Sequence, residues 1–257
     1  MPTIERITIY PIKALDGQAI SPATLLPSGA LAFDRRWALL DAEGKYINGK
    51  RTARVHALRS HLDLERQRLT LERSGEVAEF DMREDRAEAE HWLSEHFDLA
   101  VRVVEQPTAG FPDDTDAPGP TVISTATLET VAAWFPGLTL DDARRRFRAN
   151  LEIGGVEPFW EDRLYAEAGE GAAFRIGDVT LLGVNPCQRC VVPTRSPESG
   201  AIWPAFAKQF GARRAAELPA WATRSRFNHF YRLAINTSPL AGFAGGQIAC
   251  GDAVELA

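Results

Sequence analysis

The chain has 257 residues, 45% hydrophobic and 25% charged, with a formal net charge of −6 and three cysteines. That balance argues against a general binder of nucleic acid or of an anionic membrane surface, while leaving room for a local basic pocket. Three cysteines are too few for a disulfide framework, no stretch approaches the roughly 18 apolar residues of a spanning helix, and MPTIERITIYPIK lacks a signal-peptide core, so a reducing cytoplasm is the expected compartment.

In chain order, TIERITIYPI alternates as a strand. RRWALLDAEGKYING reads as a hairpin about Glu43-Gly44, and HLDLERQRLTLERSGEVAEFDM as a further pair of strands. REDRAEAEHWLSEHF shifts to helical spacing, with Trp92, Leu93 and Phe97 on one apolar face and Asp81 followed by Glu84 as a capping box. EQPTAGFPDDTDAPGP is rich in Pro, Gly and Asp and is the expected boundary between units of residues 1–105 and 106–257. TVIS then predicts a strand, TATLETVAAWF a helix stopped by Pro136-Gly137, LDDARRRFRANL a second helix and LEIGG a strand. AAFRIGDVTLLGV turns at Gly177-Asp178, PAFAKQFGARRAAELPAW is partly helical, and QIACGDAVEL repeats the Gly-Asp turn. Strands and helices do not alternate regularly, so the expectation is a mainly β chain with some α, α+β in class and barrel-like in architecture.

NPCQRCVVPTRSPESG, residues 185–200, holds two of the three cysteines. A structural zinc site needs four ligands, usually as two pairs, but Cys250 stands alone and the five histidines are scattered. A redox dithiol would open a helix after a strand, whereas Val191, Val192 and Pro193 favour a strand and turn. Two packed core cysteines are the competing reading, since free cysteine is among the most buried residue types. Against it, Arg189 between them is costly to bury unpaired and favours a thiolate nearby.

CQRCVVPTRSPESG resembles the Cys-x-Arg-Cys-x-x-x-Thr-x-x-Pro-x-x-Gly signature of the MOSC family, named after the C-terminal domain of molybdenum cofactor sulfurase. Cys187, Arg189, Cys190, Thr194, Pro197 and Gly200 all fall in register. ITIYPIKAL resembles the Tyr-Pro-(Val/Ile)-Lys opening of the family's N-terminal β-barrel domain, and FDRRWALLD its Asp-Arg-x-Trp strand. RFRANLEI resembles a Phe-Arg-x-Asn segment, and GDAVEL the closing strand. The likeness covers nearly the whole chain and is strongest to the subgroup of the mitochondrial amidoxime-reducing component and bacterial reductases of N-hydroxylated bases. It implies a MOSC-type β-barrel with an N-terminal β-barrel domain, and a molybdenum cofactor, Mo-molybdopterin.

Carried over residue by residue, the resemblance makes Cys190 the metal ligand and a catalytic residue, a role that suits a soft, anionic donor. Cys187 becomes a packed neighbour that does not bind the metal. Lys13, Arg35 and Arg148 match the basic residues that hold the anionic pterin phosphate, with Asn150 and Arg189 further candidates for that pocket. Asp116 matches an aspartate beside the metal that would relay protons. The chain departs from the family at Lys13-Ala14, where a serine follows the lysine, and at Pro118-Gly119-Pro120, where a Ser-Pro pair is usual. The implied substrate is a small N-hydroxylated compound. With no ferredoxin cysteine set, Rossmann fingerprint or haem motif, electrons are expected from a separate flavin, haem or iron–sulfur protein. The alternative is a sulfur carrier holding a persulfide on Cys190, which has little need of converging basic residues.

Overall fold

The computed structural model describes residues 1–240 and 245–257. The first part contains strands β1 (Thr3–Ile9), β2 (Gln18–Ala19), β3 (Ala23–Thr24), β4 (Trp37–Leu40), β5 (Leu58–Asp63), β6 (Arg68–Arg73) and β7 (Glu76–Asp81). Helix α1 (Arg86–Phe97) and strand β8 (Arg102–Glu105) come after them. Next are β9 (Val122–Ser124), α2 (Thr125–Ala133), α3 (Leu140–Phe147), β10 (Leu151–Gly154), β11 (Ala172–Ile176) and β12 (Val179–Gln188). The last elements are α4 (Phe206–Ala216), β13 (Arg232–Pro239), β14 (Gln247–Ile248) and β15 (Val254–Leu256). The class is α+β, mainly β.

Eight strands form one sheet in the order β15-β11-β12-β13-β9-β10-β1-β2. The end strand β15 and the residues before it meet the start of β1: Thr3 pairs with Ala253, Ile4 N donates to Asp252 O at 2.9 Å and Val254 N to Pro2 O at 2.9 Å. The sheet therefore closes on itself, which removes exposed edges. In β1 a bulge between Ile4 and Arg6 shifts the alternation by one, so Ile4, Ile7 and Ile9 all point into the barrel. They pack with Leu151, Ile153 and Leu181. Strand β1 thus pairs with β10, and β3 with β14, so the barrel draws strands from both sides of residues 105 and 106. The parallel ladder of β9 and β10 takes helices α2 and α3 as its crossover.

A second core gathers Trp37, Leu39, Leu62, Leu71, Leu93 and Val103 from β4, β8, the β5-β6-β7 meander and α1. The structure corrects three local expectations. Residues 61–82 form strands on both sides of Ser74-Gly75, so with β5 there are three strands rather than a pair. Both turn residues have positive φ (50° and 84°), a two-residue hairpin turn hidden inside a continuous polar-apolar alternation. Asp81 does not cap α1. The helix starts at Arg86, Asp85 precedes it, and the Asp81 carboxylate instead accepts from Arg83 N at 2.9 Å. The turn about Glu43-Gly44 forms, but β4 takes β8 as its ladder partner and meets the returning chain only through Leu40 and Tyr46. No helix among the described residues is long and apolar enough to cross a membrane.

Helix α3 bears most directly on the site, because Arg146 and Arg148 leave its last turn. A capping box at Thr139 and Asp142 fixes its start, and Arg148 ends it in the left-handed region at φ 52°. Thr139→Ala is expected to cost about 1 kcal/mol, the usual loss for an N-cap hydroxyl, with urea denaturation as the measurement. An unchanged midpoint would show that packing of Ala143 and Phe147, not the cap, holds this helix.

Candidate functional site

A cavity of about 1090 Å³ opens between the barrel and the second core. Twelve Lys and Arg residues line it against six Asp and Glu, in a chain whose overall charge is −6. Six of those cations, Lys50, Arg146, Arg148, Arg189, Arg226 and Arg232, form no ion pair with a carboxylate among the described residues. A pocket with a surplus of one sign and partly buried walls concentrates the opposite charge, so this one favours an anion.

Tyr10 forms the middle of the wall. Burial pushes its phenol up to about 12, so it stays neutral, and its hydroxyl donates to Ala149 O at 3.2 Å. The Arg148 guanidinium lies 4.0 Å from the ring centroid and that of Arg35 5.2 Å away. Both arginines have positive φ, 52° and 49°, conformations that cost a non-glycine residue energy and gather at functional sites. Arg35 is neutralised by Asp34, whose other oxygen accepts from Tyr10 N at 2.8 Å. Arg148 makes no side-chain hydrogen bond or ion pair among the described residues; burial pulls its pKa down and nearby Arg35 adds to that pull. It is a cation short of an anion.

Lys13 lies in the same cavity, but its ammonium is fully engaged: it donates to Phe111 O (2.8 Å), Pro112 O (3.3 Å) and Asp113 Oδ1 (2.6 Å). Lys13 therefore fastens the 111–113 loop to the wall, and burial lowers its pKa against the opposing pull of Asp113. Asn150 is likewise committed to the scaffold. Its Oδ1 accepts from Thr121 N and Thr121 Oγ1, both at 3.1 Å, and its Nδ2 donates to Thr8 O at 3.0 Å, tying β1 to the residue that leads into β9. Arg189 donates to Phe147 O at 2.6 Å while its Nε is buried without a partner among the described residues.

The two motif cysteines occupy different environments. Cys187, 4% exposed, donates to Asn236 Oδ1 at 2.7 Å. Burial pushes its thiol up to about 11 although Arg189 opposes the shift, so it remains protonated at neutral pH. Cys190 is half-buried on the cavity wall, and Val192 N points at its sulfur at 3.5 Å where the chain turns into a short 3-10 helix, Val192–Thr194. Two bulges in the β12-β13 ladder, at Gly183/Asn185 and Pro186/Gln188, turn this stretch toward the cavity.

Asp116 does not line the cavity. It is exposed, its amide donates to Asp114 Oδ1 at 3.1 Å and its carbonyl accepts from Ser238 Oγ at 3.3 Å. That turn directs Asp114 inward instead, where its other oxygen accepts from Asn236 Nδ2 at 3.1 Å. Asp113 is also on the wall. Its side chain is largely exposed, and the neighbouring Arg35 and Lys13 hold the carboxyl below the usual carboxylate range. The departure at Pro118-Gly119-Pro120 has a packing reason: a Cβ on Gly119 would fall 2.5 Å from Thr237 Oγ1 and 2.6 Å from Thr237 O. The wall also includes His56, which no motif marks. Its Nε2 is buried without a partner among the described residues, and burial, reinforced by Arg195 and Arg148, lowers its pKa to about 4. A lone histidine among apolar and basic neighbours carries no sequence signal for such a place.

No group of three or more His, Cys, Asp or Glu side chains among the described residues could hold a metal ion alone. A metal at Cys190 would therefore need most of its donors from a bound group, and the unpaired Arg148 and the surplus of cations suit one that is anionic. The family model of the MOSC N-terminal beta barrel domain matches residues 1–106, and that of the MOSC domain matches residues 121–255. The chain is also similar to the crystal structure of the YUAD protein from Bacillus subtilis, at 10% identity over 99% of this chain and 95% of that one, with a TM-score of 0.40. None of the curated proteins matches.

Proposed function

We propose that this chain, which belongs to the MOSC-domain family, is a molybdenum-cofactor-dependent reductase of small N-hydroxylated compounds. One observation carries the reading: the Cys190 sulfur opens onto a cavity whose wall holds a cation, Arg148, with no partner of its own among the described residues. The net reaction is R–NHOH + 2 H⁺ + 2 e⁻ → R–NH₂ + H₂O. The bound cofactor would supply the two-electron chemistry, with Cys190 as its thiolate ligand from the protein.

The chain's own groups do the rest. Arg148 and Arg35 hold the anionic end against the Tyr10 ring, while Lys13 fastens the 111–113 loop to the wall and Asn150 holds β1 in place. Asp114, not Asp116, is the carboxylate placed to pass a proton to a departing hydroxyl, because it faces the cavity beside Cys187 and Asn236. Electrons come from a separate donor protein of the flavin, haem or iron–sulfur kind. The competing reading, a sulfur carrier with a persulfide on Cys190, leaves the cationic wall without a use.

Protein made in a host that synthesises the cofactor is expected to contain one molybdenum per chain and to release a pterin on denaturation, as read by elemental analysis and fluorescence. Molybdenum-free protein carrying a stable persulfide under the same conditions would favour sulfur transfer instead.

A further inference from the structure

Two arginines of the cavity wall, Arg226 and Arg232, have no part in the cofactor cradle around Tyr10. Arg226 donates to Ala166 O at 2.8 Å and Val184 O at 2.9 Å; Arg232 donates to Pro186 O at 2.8 Å and Asn228 Oδ1 at 2.8 Å. Both therefore hang on one strand, β12, at carbonyls two residues apart, a spacing of about 7 Å on an extended chain. Each guanidinium has five N–H donors and spends two of them here. The Arg232 Nε is buried and unpartnered among the described residues.

Neither arginine pairs with a carboxylate among the described residues. Asp114, on this side of the cavity, is engaged by Asn236 and by the Asp116 amide. The two like charges feel one another: burial lowers the Arg232 pKa and Arg226 lowers it further, with Cys187 and Tyr165 opposing. Holding two cations together, half-buried and without a counter-charge, is unfavourable unless an anion joins them. They border the same cavity as Cys187 and Cys190, at the level where the two ladder bulges turn β12 inward.

We infer that Arg226 and Arg232 form an anion subsite that selects substrates carrying a carboxylate or a phosphate monoester. For the N–O chemistry this rests on the reductase reading above; for anion binding it does not. The arginine forks engage the charged oxygens of the substrate's far end, and the N-hydroxyl end lies toward Cys190.

The test is calorimetric titration of the cofactor-loaded protein with matched probes. One pair is benzamidoxime and 4-carboxybenzamidoxime; the other is the riboside of 6-hydroxylaminopurine and its 5′-monophosphate. The anionic member of at least one pair is expected to bind about tenfold tighter or more, as a charge-assisted contact provides, and to lose that advantage as salt is raised. The pair showing it identifies the anion. Arg226→Gln and Arg232→Gln should erase the advantage and leave the neutral probe's Kd nearly unchanged, with Arg226→Lys restoring part of it. Because both arginines also brace the backbone, a thermal melt accompanies each variant. Where one glutamine variant misfolds the folded one decides, and where both do, the salt dependence of the anionic probe's advantage in the unaltered protein decides. Equal affinities within both pairs, or an advantage untouched in Arg226→Gln, overturn the subsite. An anionic probe that binds preferentially and is not reduced leaves the subsite standing and sinks the reductase reading instead.

Discussion

Cys190→Ser is expected to reduce N–O turnover by at least about a hundredfold, while Cys187→Ser keeps most of it. Losing a supporting partner of a metal ligand already costs about 10–100-fold, so losing the ligand itself should cost no less. A serine hydroxyl is a poor donor to an oxidised, sulfur-bound metal. The Cys190 side chain is half-buried on the cavity wall, so the substitution disturbs little packing. Cys187 is the opposite case: buried, held protonated, and bonded to Asn236 Oδ1, a contact that a serine hydroxyl can also make. A redox dithiol would instead need both sulfurs and would form a disulfide on oxidation. Turnover of benzamidoxime with reduced viologen separates the cases, and equal losses in the two variants would end the single-ligand assignment.

Much of this arrangement is legible in the sequence, for identifiable reasons. Strand β1 shows its alternation, α2 and α3 show their stops and apolar faces, and the cysteine motif stands out by spacing alone. What is not legible is which side chains of one pocket are still free. Lys13 and Asn150 sit on the wall as expected, but the partners that occupy them, the 111–113 loop, Thr121 and Thr8, lie from 29 to 142 residues away. Loop register, by contrast, is decided locally: an Asx-type hydrogen bond at Asp114 accompanies its turning inward in place of Asp116. The cations Arg226 and Arg232 are invisible for a related reason. In the sequence they are two ordinary arginines, and only the fold shows that no carboxylate of the described residues comes to meet them.

Arg148→Ala is expected to weaken cofactor retention about 10- to 150-fold, the equivalent of the roughly 1.5–3 kcal/mol that a hydrogen bond to a charged group contributes. Its surroundings give the reason. Arg35 beside it is answered by Asp34, and Lys13 by Asp113, whereas Arg148 spends no donor on the described residues and stacks on Tyr10 at 4.0 Å. Arg35→Ala should cost at least as much, since it leaves the Asp34 carboxylate, only 10% exposed, unpaired beside the anion. Arg148→Lys should fall between, because it keeps the charge and loses the fork that grips two oxygens at once. The fold should not suffer in Arg148→Ala: alanine bears the same Cβ in the left-handed region at φ 52°, and no side-chain hydrogen bond is lost. Molybdenum and pterin content after desalting, with a thermal melt on each variant, reads the outcome. Full occupancy in both alanine variants at an unchanged melting temperature would place the cofactor elsewhere and leave Tyr10 and its arginines as a structural stack.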